Sequence, residues 1–478
     1  MDIRRYILAQ CCSLRGWKLL PYAVQHLNQP KTLFFRENEW RLIKACDGKT
    51  DIDFESLSQE ERGLYKKWLD SGLICPANGE ALRPEQQYRS YNARFKESVL
   101  WAITGKCNYK CRHCFMSAPH GVQGEPEWGQ LMTMLDAFER CGIKAVELTG
   151  GEPLVRRDLL RLADEILRRG MVISAIYTNG MLVTDSFLDE LEKRHIRPRF
   201  QFSFDGADLH DMLRGVDGAE QYVRSAMERC RRRGLIYGAS MVMFRENIGC
   251  LRETVRLLAE LGCDYLKAGR ALPMGEWKAH PEHWLTQAEV YDAFLRYIPF
   301  YFEDGRPLTI VLEGFFSCDR HSGEIGSFNE KNAAERDFGK TLMCGHVRRE
   351  MYVSPQGKVM PCMLMTDSSA ERLFPNMLEV PLEKILGRNS CYMDITDLRV
   401  SDYMAHSAEC RECRYRAECC GGCRAMALLD HPDDYLAKDE SACMYFRDGW
   451  KAKKDELLKS LGAAEKCYNK DIKKTVSP

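Results

Sequence analysis

The sequence predicts an α/β protein built on a partial, TIM-like (β/α)6 barrel, with a winged-helix-like domain before it and a Cys-rich domain after it. Three observations carry this expectation. Short apolar runs alternate with amphipathic stretches between residues 98 and 312, the first 90 residues read as helix, helix and hairpin, and 22 cysteines fall largely in clusters along a chain of 478 residues. The length suits roughly three domains. The boundaries predicted are 1–90, 98–312, a bridging region at 313–343, the Cys-rich domain at 344–450 and a Lys-rich tail at 451–478.

In the first domain, Trp17–Val24 and Leu33–Phe35 are strand-like. Glu37–Ala45 is amphipathic and stops at Asp47-Gly48. Ser58 with Glu61 forms a capping box for a helix that runs to Ser71 and carries Leu64, Trp68 and Leu69 on one face. Ile74–Leu82, with Asn78-Gly79 at its centre, reads as a hairpin, and residues 84–97 read as a linker. Such a module often binds DNA, but basic residues do not cluster on its second helix, which favours a peptide.

The barrel strands are expected at Val99–Thr104, Ala145–Leu148, Val172–Tyr177, Arg199–Phe204, Ile236–Phe244 and Tyr265–Ala268. Helices such as Trp128–Cys141, Leu159–Arg169, Ser186–Lys193, Ala219–Arg233 and Ile248–Leu261 fall between them. This alternation gives parallel strands, whose C-terminal ends carry the chemistry. Beyond Gly314 the sequence is loop-rich, and the tail from Lys451 reads as a helix that ends in disorder.

Composition narrows the function. Apolar residues make up 45% and charged residues 29%, as in a folded chain. Lys plus Arg equals Asp plus Glu at 69 each, so no global positive field exists for nucleic acid or an anionic membrane. No apolar run approaches the ~20 residues of a membrane helix, and Tyr6–Ala9 is too short for a secretory core. The expectation is a soluble cytoplasmic protein, where clustered thiols hold metal.

After the first barrel strand comes Cys107-x3-Cys111-x2-Cys114. Three thiolates in one loop suit three irons of a cubane and leave the fourth iron without a protein ligand. Zinc is the rival reading, although its structural sites want four ligands. Gly150-Gly151-Glu152-Pro153 follows the second strand and Thr178-Asn179-Gly180 the third. Ser203-Phe204-Asp205-Gly206, with His210 and Arg214, follows the fourth.

These motifs together resemble the radical S-adenosylmethionine (SAM) superfamily, whose signature is C-x3-C-x-Φ-C; His113 stands at Φ. The resemblance implies a SAM-binding [4Fe-4S] cluster on Cys107, Cys111 and Cys114. It further implies a SAM site formed by His113, Gly150, Gly151, Glu152, Pro153, Asn179, Ser203, Asp205 and Arg214. In it the GGEP turn would receive the SAM ammonium, and Ser203 and Arg214 its ribose or carboxylate. The chemistry implied is cleavage of SAM to a 5′-deoxyadenosyl radical that abstracts a hydrogen. No catalytic acid or base is assigned.

The later cysteines run Cys344-x12-Gly357-x4-Cys362, then Cys410-x2-Cys413-x5-Cys419-x3-Cys423, then Cys443. This pattern resembles the SPASM domain, which implies two auxiliary [4Fe-4S] clusters. Cys344, Cys362 and Cys423 would serve the first, and Cys410, Cys413, Cys419 and Cys443 the second. Seven ligands are one short of eight. Cys420, Cys318, Cys391 or His346 fills the gap, or one iron is open. A zinc-ribbon pair is the alternative. The remaining cysteines (11, 12, 46, 75, 141, 230, 250, 263 and 467) are expected to be small core residues.

The first domain is similar to the RiPP recognition element, which binds a leader peptide as an added β-strand. The resemblances therefore imply a maturase of a ribosomally synthesised precursor peptide. Its leader would sit on residues 1–90, its core in the barrel, and flavodoxin or ferredoxin would donate electrons. A Cys-derived thioether cross-link is the leading product, ahead of a C–C cross-link or epimerisation. Formylglycine formation of the anaerobic sulfatase-maturating type is a further alternative, but those enzymes lack such an N-terminal module and their catalytic Asp motif has no match here. A zinc-ribbon, winged-helix DNA-binding protein is the alternative of another class.

Overall fold

The computed structural model describes residues 2–326, 333–387 and 390–463. Its centre is a sheet of parallel strands: Ser98–Ala102, Ala145–Thr149, Val172–Thr178, Arg199–Ser203, Tyr237–Met243 and Tyr265–Arg270. A helix follows each in turn: Trp128–Cys141, Leu159–Arg168, Asp185–Lys193, Ala219–Arg232, Leu251–Glu260 and Gln287–Glu303. This is the expected (β/α)6 unit.

The sheet continues past it on both sides. Thr309–Leu312 adds in parallel at one edge, followed by antiparallel Phe316–Cys318 and Ile325–Gly326. At the other edge Glu350–Val353, from the Cys-rich region, lies parallel to Ser98–Ala102 and carries Val359–Met360. The Cys-rich region is therefore pinned to the barrel through backbone pairing.

Strand alternation sets two environments. Val99, Trp101, Val146, Leu148, Phe200, Phe202, Ala239, Met241, Leu266 and Ala268 face the helices and form the main core. The alternate positions face the lumen and are largely polar, among them Glu147, Arg199, Gln201, Ser240 and Lys267.

In the first domain the Ser58–Glu61 capping box forms, with Ser58 Oγ accepting from Glu61 N at 3.2 Å and Glu61 accepting from Ser58 N at 2.9 Å. The helices run Glu37–Lys44 and Gln59–Asp70. Two expectations are corrected. Ile74–Pro76 does not fold back as a hairpin; it pairs antiparallel with Tyr6–Leu8, because Tyr6 and Leu8 bring two buried side chains to that core, whereas residues 80–84 turn into a 3-10 segment at Pro84–Gln86. Residues 84–97 are not a linker either. Arg89–Arg94 is a strand parallel to Cys12–Lys18, with Tyr91 and Ala93 buried.

Trp17 joins this domain to the barrel. Its ring packs on Tyr91 and Phe95, and its Nε1 donates to Cys141 O at 2.9 Å at the end of the first barrel helix. The tail forms a helix over Trp450–Ser460, where buried Lys454 donates to Tyr445 Oη at 2.8 Å; the expected disordered end, with Cys467, lies outside the described residues. Among the described residues no helix is long and apolar enough to cross a membrane. Replacing Trp17 with Ala is expected to cost about 3–5 kcal/mol, and with Phe about 0.5–1.5 kcal/mol for the lost hydrogen bond. Thermal unfolding and proteolytic release of the first domain from the full chain measure both.

Candidate active site

The Cys107–Cys114 loop leaves the first strand at the C-terminal rim of the barrel. Backbone donors and one guanidinium point at its sulfurs: Tyr109 N to Cys107 at 3.4 Å, Ala118 N to Cys114 at 3.3 Å and Arg214 Nη1 to Cys111 at 3.9 Å. Such donors favour the thiolate. In the free chain burial dominates and pushes all three thiols up, Cys107 to about 12, so loading a metal releases protons here. The loop is stitched to its surroundings by Lys110 N to Arg214 O at 3.2 Å, Arg112 N to Leu213 O at 2.9 Å and Glu276 N to Cys114 O at 3.0 Å.

His113 lies in the same loop, edge-on to Trp277 at 6.4 Å. Burial, with Arg214 adding, pushes its ring down to about 3, and its buried Nδ1 has no hydrogen-bond partner. A neutral ring with an unused nitrogen, among three thiols, fits a bound polar cofactor.

The Gly150-Gly151-Glu152-Pro153 turn lies against this loop. Glu152 is engaged within the protein. Its carboxylate is fully buried and turned inward, accepting from Thr178 Oγ1 at 2.8 Å, Asn179 N at 2.8 Å and Leu154 N at 3.1 Å. It therefore fastens the second strand's turn to the third strand's Thr178-Asn179-Gly180 turn. Burial pushes its carboxyl up to about 7 against those three donors. Pro153, also buried, starts a short 3-10 turn. Asn179 Nδ2 donates to Asn108 Oδ1 at 2.8 Å, which ties the third strand's turn to the cysteine loop.

Asp205 is likewise internal. It accepts from Arg214 Nε at 2.7 Å and Val242 N at 2.9 Å, and lies 3.1 Å from His210 Nδ1. Burial opposes its charge, but Arg214 and His210 outweigh it and hold the carboxyl below the usual range. Asp205 thus orients Arg214, whose other end reaches Cys111. Ser203 stands at the rim beside Ser240 of the next strand.

The later cysteines fall into two groups. Cys410, Cys413, Cys419 and Cys443 line one pocket together with Arg416, Lys438, Arg447 and Glu409, which pairs with the last two cations. Four thiols and an excess of basic over acidic side chains around one space fit an anionic iron–sulfur cluster. Cys344, Cys362 and Cys423 form the other group: burial pushes Cys423 up to about 12, and the neighbouring thiols of Cys362 and Cys344 add to it. Asp439 links the groups, accepting from Cys423 N at 2.7 Å while capping the helix Glu440–Arg447 that carries Cys443.

Each candidate eighth ligand is engaged elsewhere. The Cys420 thiol meets Arg336 at 2.7 Å, Cys391 donates to Leu373 O at 2.5 Å, Cys318 faces Asp319 O at 3.8 Å and His346 meets Glu350 at 3.0 Å. Of the cysteines expected in the core, Cys12, Cys46, Cys141, Cys230 and Cys263 are buried, whereas Cys75 is exposed. Among the described residues neither cysteine group has three sulfurs within 4.8 Å of one another, the crowding that one tetrahedral ion would impose.

Motif reading missed the lumen. Tyr177 Oη donates to Glu147 at 2.9 Å, and Lys267 pairs with Glu313 at 2.7 Å across Gly269, where a Cβ would stand 1.9 Å from the carboxylate. Tyr177 packs in one cluster with Cys107, Cys114, Cys362 and Cys423. Polar residues recurring at alternate strand positions, such as Arg199 and Gln201, were the available signal.

Residues 101–258 match the radical SAM superfamily, and residues 344–414 match the SPASM iron–sulfur cluster-binding domain. The chain carries a radical SAM domain and a SPASM domain, and is an enzyme whose cofactors are SAM and [4Fe-4S] clusters. Among similar proteins, the AdoMet-dependent heme synthase of Methanosarcina barkeri is 25% identical over 73% of this chain and 96% of its own length. The PqqA peptide cyclase of Gluconobacter oxydans is 25% identical over 69% of this chain and 86% of its own. The crystal structure of Streptococcus suis SuiB bound to precursor peptide SuiA superposes with a TM-score of 0.62 at 15% identity, covering 92% of this chain and 99% of that one.

Replacing Glu152 with Gln sets an amide donor against the inward donors and is expected to destabilise the apo chain by about 1–3 kcal/mol. Adding Thr178→Val should cost less than the sum of the two single changes. Thermal unfolding of the single and double variants measures both.

Proposed function

We propose that this enzyme modifies a ribosomally synthesised precursor peptide. The carrying observation is the position of the first domain at the N-terminal mouth of the barrel. Pro30 of that domain lines one cavity with Ser98, Glu147, Ser174, Arg199 and Glu350, and Glu147 accepts from Tyr177, which packs in one cluster with Cys107 and Cys114. Nearby, the edge strand Thr32–Phe34 pairs on one side with Leu20–His26 and has no partner strand on the other among the described residues. A leader added to that edge would hand the following residues to the mouth.

In this reading Cys107, Cys111 and Cys114 hold the SAM-binding cluster, and His113 with the backbone of the Gly150–Pro153 and Asn179 turns orients SAM. Cys344, Cys362 and Cys423 hold one auxiliary cluster, and Cys410, Cys413, Cys419 and Cys443 the other. When bound, SAM and its cluster supply a hydrogen-abstracting radical, and the chain excludes water around it. The protein works in the cytoplasm with a flavodoxin- or ferredoxin-type electron donor, and the leading product is a Cys-derived thioether. Heme formation, the activity in the names of the heme-synthase relatives, is the second reading; it leaves the first domain without a part.

The reconstituted protein is expected to hold about 12 irons, falling to about 8 when Cys107, Cys111 and Cys114 become Ala, with loss of 5′-deoxyadenosine formation from SAM. Incubation with SAM, reductant and the peptide encoded by a short reading frame beside its gene tests the substrate. A thioether removes two hydrogens and one alkylatable thiol; a C–C link removes the hydrogens and keeps the thiol. Deoxyadenosine with no change in peptide mass or stereochemistry overturns the peptide reading.

A further inference from the structure

We infer that His280, Glu282 and His283 form a binding site for a divalent transition-metal ion of the zinc type, separate from the three groups of cysteines. Among the described residues they are the one group of three such side chains whose ligand atoms all lie within 4.8 Å of one another. Glu282 Oε1 is 3.6 Å from His280 Nδ1 and 3.4 Å from His283 Nε2. Both separations exceed the 2.7–3.2 Å of an ordinary N–H···O bond. They match the roughly 3.3 Å between ligand atoms held tetrahedrally at about 2.0–2.1 Å from one zinc. The carboxylate oxygen therefore stands at coordination spacing from both rings.

A second feature points the same way. The other nitrogen of His283, Nδ1, is hydrogen-bonded to the carboxylate of Glu246. That contact fixes the ring with Nδ1 protonated and leaves the lone pair on Nε2, 3.4 Å from Glu282, as in the carboxylate–histidine–metal arrangement. Trp277 stacks on the His283 ring at 5.9 Å and 20°, and Pro281 starts the short 3-10 turn that returns His283 N to His280 O at 3.2 Å. The Glu282 side chain is 60% exposed, so the ion enters from solvent and completes its shell with water.

The role that follows is structural. The same segment covers the first cysteine loop: a Cβ on Gly275 would stand 2.2 Å from Cys114 O, and Trp277 meets His113. An ion here fastens that cover to the Glu246 loop after the fifth strand.

The test uses the full, cluster-reconstituted chain equilibrated with Zn2+. One zinc per chain is expected, with X-ray absorption at the zinc edge giving nitrogen and oxygen neighbours at about 2.0–2.1 Å. The His280→Ala, His283→Ala double variant should lose it, and Glu246→Gln should weaken it by about 10–100-fold, with wild-type iron content throughout. Equal zinc uptake by wild type and double variant, zinc bound on sulfur at about 2.3 Å, or no uptake overturns the site. If the double variant loses iron as well, Glu282→Gln decides: it keeps both rings and must still release the zinc.

Discussion

At the rim of the barrel, the backbone of residues 104–106 runs so close to the next strand's turn that a Cβ at Gly150 would stand 2.3 Å from Thr104 O, and one at Gly151 2.3 Å from Lys106 O. Gly150 also adopts φ 149, a conformation that side chains disfavour. Two hydrogen bonds close the contact, Gly151 N to Thr104 O and Glu152 N to Lys106 O, each 2.9 Å. The cysteine loop begins one residue later, so its starting point is set by backbone packing. Gly215 repeats the device, meeting Lys110 O. With both flanks fixed, the backbone that carries the three cysteines has less freedom to lose when they are ordered around a common ligand.

Charge is arranged around this backbone frame with the same economy. Glu152 and Asp205, the two carboxylates in the motifs, both turn inward and join neighbouring strand ends. Arg214, steadied by Asp205, carries charge on to the sulfur of Cys111. Such buried networks are costly when half satisfied, which is why the motif residues come as a set: Glu152 has its three donors, and Asp205 has Arg214, His210 and the backbone of Val242.

The strand positions and their helices were legible from periodicity, most within two residues, because core-facing side chains such as Val146, Leu148, Phe200 and Phe202 alternate with lumen-facing ones. The cysteine spacings were legible for a similar reason: ligands in one loop are fixed by local geometry. The hairpin at 74–82 and the linker at 84–97 were misread because their partners are remote. Ile74–Pro76 finds Tyr6–Leu8, and Arg89–Arg94 finds Cys12–Lys18. No local pattern records a pairing across seventy residues of chain.

By itself the sequence determined the (β/α)6 unit, the residues of the rim turns and both sets of cysteine spacings, since each depends on neighbours within a few positions. Tertiary structure alone decided which way those side chains point. It turned Glu152 inward, gathered Cys410, Cys413, Cys419 and Cys443 around one cavity while Cys344, Cys362 and Cys423 met elsewhere, and drew Glu350–Val353 onto the barrel's first strand. It also aligned Glu147, Tyr177, Lys267 and Glu313 in the lumen. The reason is physical: a side chain's direction is set by the strand or turn it packs against, and in a parallel barrel that neighbour comes from a distant part of the chain.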